Sequence, residues 1–174
     1  MAKPKSAKLK AILTKPPADS GWHYIPVPAT IGEKFEKKDG SRRIVCAING
    51  SEAFQCALIP WQDIFTIIVN KSKRDKLKIA AGDEISVEIE QDESKYGLPM
   101  PEEFQEVLNQ DPEGNNLFHS LTAGKQRSIL YFVGKVKDID KRIHTALIFV
   151  EHLKRNDGKI DHARLQSELK RPMI

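Results

Sequence analysis

The stretch from Arg42 to Gln91 limits what this chain can fold into more than any other, because short apolar runs alternate there with turn-forming residues. It reads RRIVCAINGSEAFQCALIPWQDIFTIIV, then a short charged segment, then AAGDEISVEIEQ. Runs of Val, Ile and Phe bounded by Asn49-Gly50, by a Pro60-Trp61 corner and by Ala81-Gly82-Asp83 read as strands joined by tight turns. Such spacing predicts a small closed β-barrel. After Pro99-Met100-Pro101 the apolar residues recur at helical spacing instead, so the fold class expected is α+β, a barrel followed by a short helical module.

The individual segments follow from the same rules. Lys8 to Thr14 alternates weakly and reads as a first strand. Trp22 to Pro28 contains two prolines, which lack the ladder donor, and so belongs at a sheet edge. Strands are expected over Arg42 to Ile48, Ala53 to Ile59 and Asp63 to Val69, with one or two helical turns over Lys71 to Lys78 capped by Asn70 or Ser72. In Glu84 to Gln91, Ile85, Val87 and Ile89 face one way and the acids the other, the mark of a strand with one wet face. Four helices are expected beyond Pro101: one ending near Gln110, one from Asp111-Pro112, one capped by Thr122, and one from Asp138 or Asp140 to Asn156. The domain division is then a basic arm over 1–7, a barrel over 8–93, a linker over 94–100, helices over 101–153, and a loosely attached charged tail over 154–174.

Composition removes several classes of function. The longest apolar runs, Ile64 to Val69 and Ala146 to Val150, are far too short to span a bilayer. The N-terminal MAKPKSAKLK has no apolar core of the kind a secretory signal needs, so a cytoplasmic location is expected. Cys46 and Cys56 then read as reduced core residues on two arms of a hairpin. The net charge of +4 is mild and gathers at the termini, where it favours solubility over a dedicated anionic partner.

The order of motifs resembles a known pairing of domains. Trp22-x-Tyr24-Ile25-x-Val27-Pro28, the strand into Ile48-Asn49-Gly50 with an aromatic after it, and Gly82-Asp83 before an alternating strand resemble a bacterial β-barrel domain of unknown function. Pro101-Glu102-Glu103-Phe104, Asp111-Pro112, Phe118, Leu121-Thr122 and Arg127 resemble the YdeI/OmpD-associated, bacteriocin-protection helical module. The resemblance implies a double-split barrel related in shape to the AbrB/MazE swapped-hairpin proteins, and an association with tolerance of peptide antibiotics rather than a described reaction. This chain departs from the module's usual Ala-Lys-x-x-Glu-Thr-Arg run: it reads Gly134-Lys135-Val136-Lys137-Asp138-Ile139-Asp140-Lys141-Arg142-Ile143 there, keeping Lys135 and Arg142-Ile143.

No constellation for catalysis emerges. The five histidines are scattered, with no pair three or four residues apart, so neither a metal site nor another cofactor is expected. There is no G-x-S-x-G elbow, and Gly40-Ser41-Arg42-Arg43 offers one glycine where phosphate loops need several. Glu84, Glu88, Glu90 and Asp92 form a stripe that reads as solvated. Trp22, Tyr24, Phe54, Trp61 and Phe65 either fill the barrel core and its end or line a mouth that binds an apolar ligand or peptide. The chain is thus expected to be a non-enzymatic binding or stress-tolerance protein with an unknown peptide or small ligand, contacted by Trp22, Trp61 and Lys135 in a cleft between barrel and helices. The alternative is a nucleic-acid-binding module using Arg42, Arg43, Lys71, Lys73 and Arg74 against phosphates. Exposed strand edges leave a dimer open.

Overall fold

In the computed structural model, which describes residues 5–16 and 22–172, the chain divides into two compact units, Met1–Gly97 and Leu98–Ile174. The first is a six-stranded antiparallel sheet of order β1-β6-β3-β4-β5-β2: β1 (Ser6–Ile12), β2 (Tyr24–Pro28), β3 (Arg42–Ile48), β4 (Phe54–Trp61), β5 (Ile64–Ile68) and β6 (Glu84–Gln91). β3 and β6 occupy the expected residues. β1 starts earlier than expected, inside the segment read as a free arm, because Ser6 to Ile12 pairs residue for residue with Glu90 to Glu84. The rest of that arm, residues 1–4, lies outside the described residues.

The sheet is not the closed barrel that the turn spacing predicts. Its first and last strands, β1 and β2, share no ladder. They meet just beyond β1 at one antiparallel bridge, where Thr14 and Tyr24 exchange N–H···O bonds of 2.9 Å. The two prolines of β2, at 26 and 28, remove donors from that strand, which agrees with its place at the end of the strand order.

One face of the sheet forms the core, where Ile25, Val27, Ile44, Ile48, Ile67 and Val87 are fully or almost fully removed from water. Burying a side chain of this size is worth about 1.5–3 kcal/mol. On the wet face of β6, Glu88 and Glu84 meet Lys8 and Lys10 at 3.5 and 4.0 Å, so two acids of the stripe are paired with the neighbouring strand. Asn49-Gly50 adopts positive φ at both residues (53° and 71°), closing a turn in which Ser51 N donates to Ile48 O. The Asn49 carboxamide oxygen also accepts from Ser86 N at 2.9 Å, fastening this turn to β6. A one-turn helix, α1 (Ala29–Gly32), was not expected. Gly32 suits it because a Cβ there would stand 2.1 Å from Phe65 Cδ2. The next helix, α2 (Lys71–Leu77), is capped by Asn70 Oδ1 accepting from Lys73 N at 2.9 Å.

The second unit is wholly helical: α3 (Glu102–Gln110), α4 (Pro112–His119), α5 (Ala123–Gly134), α6 (Ile139–Arg155) and α7 (His162–Leu169). Asp111, Thr122, Asp138 and Asp161 cap α4 to α7, each through a side-chain oxygen that accepts a backbone N–H of the first turn. The core gathers Leu108, Leu130, Val133, Ala146 and Leu153 around Phe104 and Phe118, whose rings meet edge-to-face at 5.0 Å.

The charged tail is not loosely attached. Leu165 is buried, and Glu168 reaches the buried His152 of α6. Asp161 N donates to His152 Nε2 at 3.0 Å, which leaves the imidazole proton on Nδ1, 3.3 Å from both Glu168 oxygens. No helix among the described residues is long and apolar enough to cross a membrane.

Candidate functional site

Strand alternation decides where the aromatic residues go. In β5, Phe65 and Ile67 face the core, so Ile64, Thr66 and Ile68 face outward. The register pairs Tyr24 with Ile68, Ile59 with Thr66 and Trp61 with Ile64, which gathers all of these on the same outer face. Trp61 closes β4 at a two-residue turn in which Gln62 takes φ 54°. Its indole meets the Tyr24 ring edge-to-face, with centroids 5.3 Å apart and planes at 83°.

The result is a cleft of about 320 Å³ on the outside of the sheet, lined chiefly by Trp22, Tyr24, Ile59, Trp61, Thr66 and Ile68. Trp22 is 62% exposed and Trp61 43%. These three aromatics therefore neither fill the core nor line a barrel mouth; Phe65 is buried in the core and Phe54 packs against it. The Thr66 hydroxyl donates to Ile59 O at 3.1 Å and is directed back into the sheet.

Lys135 stands in a different place, a pocket of about 560 Å³ within the helical unit, among Met100, Pro101, Leu130, Tyr131 and Arg142. Its ammonium lies 5.2 Å from the Tyr131 ring centroid and 5.3 Å from that of Phe132, a cation–π arrangement. Arg142 is committed to structure: Nη1 donates to Glu103 at 2.8 Å, Nε to Val136 O at 2.8 Å and Nη2 to Lys137 O at 3.4 Å. Trp22 and Trp61 thus come together in the first unit, and Lys135 belongs to a site of the second.

The basic residues considered for phosphate contact are largely engaged with their own chain. Arg42 Nε donates to Phe35 O at 2.9 Å, with its guanidinium over the Phe65 ring. Arg43 Nη2 donates to Gly97 O at 2.9 Å, and Arg74 Nη1 to Val69 O at 2.7 Å. Lys73 lies over the Phe54 ring at 4.7 Å, while Lys71 is exposed.

A polar cluster lies beside Arg43. Asp92, expected at the end of a solvated acidic stripe, is instead only 6% exposed, because it lies beyond β6 and accepts from Ser94 N at 2.8 Å and from Gln55 Nε2 at 3.0 Å. Burial pushes its carboxyl up, but the Ser94 and Gln55 hydrogen bonds and the Arg43 charge outweigh burial and hold it below the usual carboxylate range. Gln55 also donates to Ser94 Oγ, so the cluster fastens the segment after β6 to β3 and β4. Cys46 and Cys56 are free, on diagonal positions of β3 and β4. A hydrogen bond with Cys56 and burial push the Cys46 thiol up, the opposite of what a nucleophile needs. No group of three or more metal-ligating side chains occurs among the described residues.

Two family models match the chain in succession. Residues 10–89 match a domain of unknown function, DUF1905, and residues 98–156 match the family described as Bacteriocin-protection, YdeI or OmpD-Associated. The chain is similar to both families in succession, one match falling in each unit. The described lining of the aromatic cleft lies within the residues that match DUF1905, and that of the Lys135 pocket within those that match the YdeI or OmpD-associated family. The latter match ends at residue 156, so α7, clasped by His152 and Glu168, lies outside the matched residues. No curated protein matches the chain.

Proposed function

We infer that this chain is a non-catalytic binding protein whose principal ligand site is the outer-face cleft of Trp22, Tyr24 and Trp61. The observation that carries this reading is the exposure of two tryptophans around one concave apolar surface. Large apolar side chains held in water on a rigid sheet are a cost to the folded state unless something covers them in use. Among the described residues, the lining supplies no acid–base pair and no activated nucleophile, since the one aliphatic hydroxyl among them, that of Thr66, is bonded to Ile59 O. The ligand is an apolar group of a small molecule or peptide. Lys135 marks the second candidate pocket, suited to a ligand carrying a negative group beside an apolar one. The description of the second family, bacteriocin protection, agrees with a role in tolerance of a stress, which a ligand-capturing cleft would exercise by binding. Two unpaired cysteines within hydrogen-bonding reach fit a reducing compartment, hence the cytoplasm.

The nucleic-acid reading has less support, because Arg42, Arg43 and Arg74 already donate to carbonyl groups of the chain. The test is thermal stabilisation across peptide and metabolite panels, followed by tryptophan emission for each hit. Binders that raise the melting temperature and shift emission sustain the proposal. Silence across broad panels, or hits that leave emission untouched, refute it.

A further inference from the structure

We propose that the cleft recognises a quaternary ammonium group, a deepening that rests on the reading of the cleft as the ligand site. The argument starts from what the walls can offer. Tyr24 and Trp61 stand nearly perpendicular, at 83°, and Trp22 adds a third aromatic wall. Aromatic rings carry electron-rich faces, and although the edge-to-face contact of Tyr24 and Trp61 covers one face, three rings lining one cavity attract a cation through their quadrupoles. Among the described residues, the rest of the lining carries no charge of either sign, so no described lysine or arginine lines the cleft to repel a cation and no described carboxylate supplies a conventional ion pair.

The kind of cation follows from hydrogen bonding. A primary ammonium brings three N–H donors, each needing an acceptor once water is stripped away. The described lining side chains offer only two acceptor groups for those three donors, the hydroxyls of Tyr24 and Thr66, the latter directed back toward Ile59 O, and indole N–H groups are donors only. A trimethylammonium group has no N–H, and its charge is spread over methyl surfaces that pack against rings. It is therefore the cation that loses least on entering this site. A cavity of about 320 Å³ suits a small head group with a short substituent.

Tryptophan emission tests this directly, because the chain has two tryptophans and both line the cleft. Choline and a trimethyl-lysine peptide would be titrated alongside ethanolamine and 3,3-dimethyl-1-butanol, the uncharged isostere of choline. Choline or the peptide should shift the emission at least tenfold more tightly than the isostere, with ethanolamine weaker still. Choline alone assigns a free small molecule, and the peptide alone a modified side chain. Trp61→Leu keeps apolar bulk but deletes a ring face; it should abolish the preference for cation over isostere while leaving the far-ultraviolet circular dichroism unchanged. Equal binding of choline and its isostere overturns the inference and leaves the apolar cleft standing. So does silence of all four probes when a panel hit still shifts emission. Silence of every probe and every panel compound removes both readings.

Discussion

Replacing Asp92 by Asn should weaken the first unit in a way that depends on pH. In the native sheet one carboxylate oxygen accepts from Ser94 N at 2.8 Å and the other from Gln55 Nε2 at 3.0 Å. An Asn keeps an acceptor for one donor and sets its own NH2 against the other. Hydrogen bonds to a charged group are worth about 1.5–3 kcal/mol, and a buried donor left unpaired costs about 1–3 kcal/mol. A net loss of about 2 kcal/mol at pH 7 is therefore expected. The sign of the pH dependence follows from the depressed carboxyl. Its stabilisation is fully present above the unfolded value near 3.9 and is lost as pH falls through the lower folded value. Urea unfolding followed by tryptophan emission reports this unit alone, because Trp22 and Trp61 both lie within it. With a urea slope of about 1–3 kcal/mol per molar, the midpoint should fall by about 1 M at pH 7. The gap should narrow once the pH drops below about 4. A variant as stable as the parent at pH 7, or a gap that stays constant into acid, would refute the reasoning.

Three further outcomes follow from the packing. Gly114→Ala places a Cβ 2.3 Å from Val150 Cγ1, so the helical unit should lose about 1–3 kcal/mol by circular dichroism melting, with Val150→Ala in the same chain restoring part of it. Glu168→Ala strands the His152 Nδ1–H and should raise hydrogen exchange across α7, whereas Glu168→Gln, which keeps an acceptor, should raise it much less. Iodoacetamide should modify the half-buried Cys56 well before Cys46, whose buried thiol is held protonated; mass spectrometry of the intact fold showing the reverse order would contradict that assignment.

What could be read from residues alone was whatever depends on local period and local capping. Arg42 to Ile48 and Glu84 to Gln91 alternate with the core on one side, and Asn70, Thr122 and Asp138 each cap the helix that follows. The placement of the aromatics was not readable, because Ile64 to Ile68 is apolar on both sides apart from Thr66 and so does not declare which face is wet. That uninterrupted run was itself a signal: a strand apolar on both sides implies that its second face is also meant to be covered. Nor does a basic side chain announce its acceptor. Arg43 meets Gly97 across 54 residues, a contact set by how the sheet curls. The α7 clasp is illegible for a similar reason, since His152 in α6 and Glu168 sixteen residues on carry no periodic pattern.

The most direct test of the aromatic cleft as the ligand site is a two-dimensional ¹⁵N–¹H spectrum recorded through a ligand titration, in which the two indole N–H signals belong to Trp22 and Trp61. Saturable shifts of both indoles, together with the amides of Tyr24, Ile59, Trp61 and Thr66 to Ile68, are expected. Shifts confined to the surroundings of Met100, Tyr131 and Lys135, with both indoles unmoved, would contradict it.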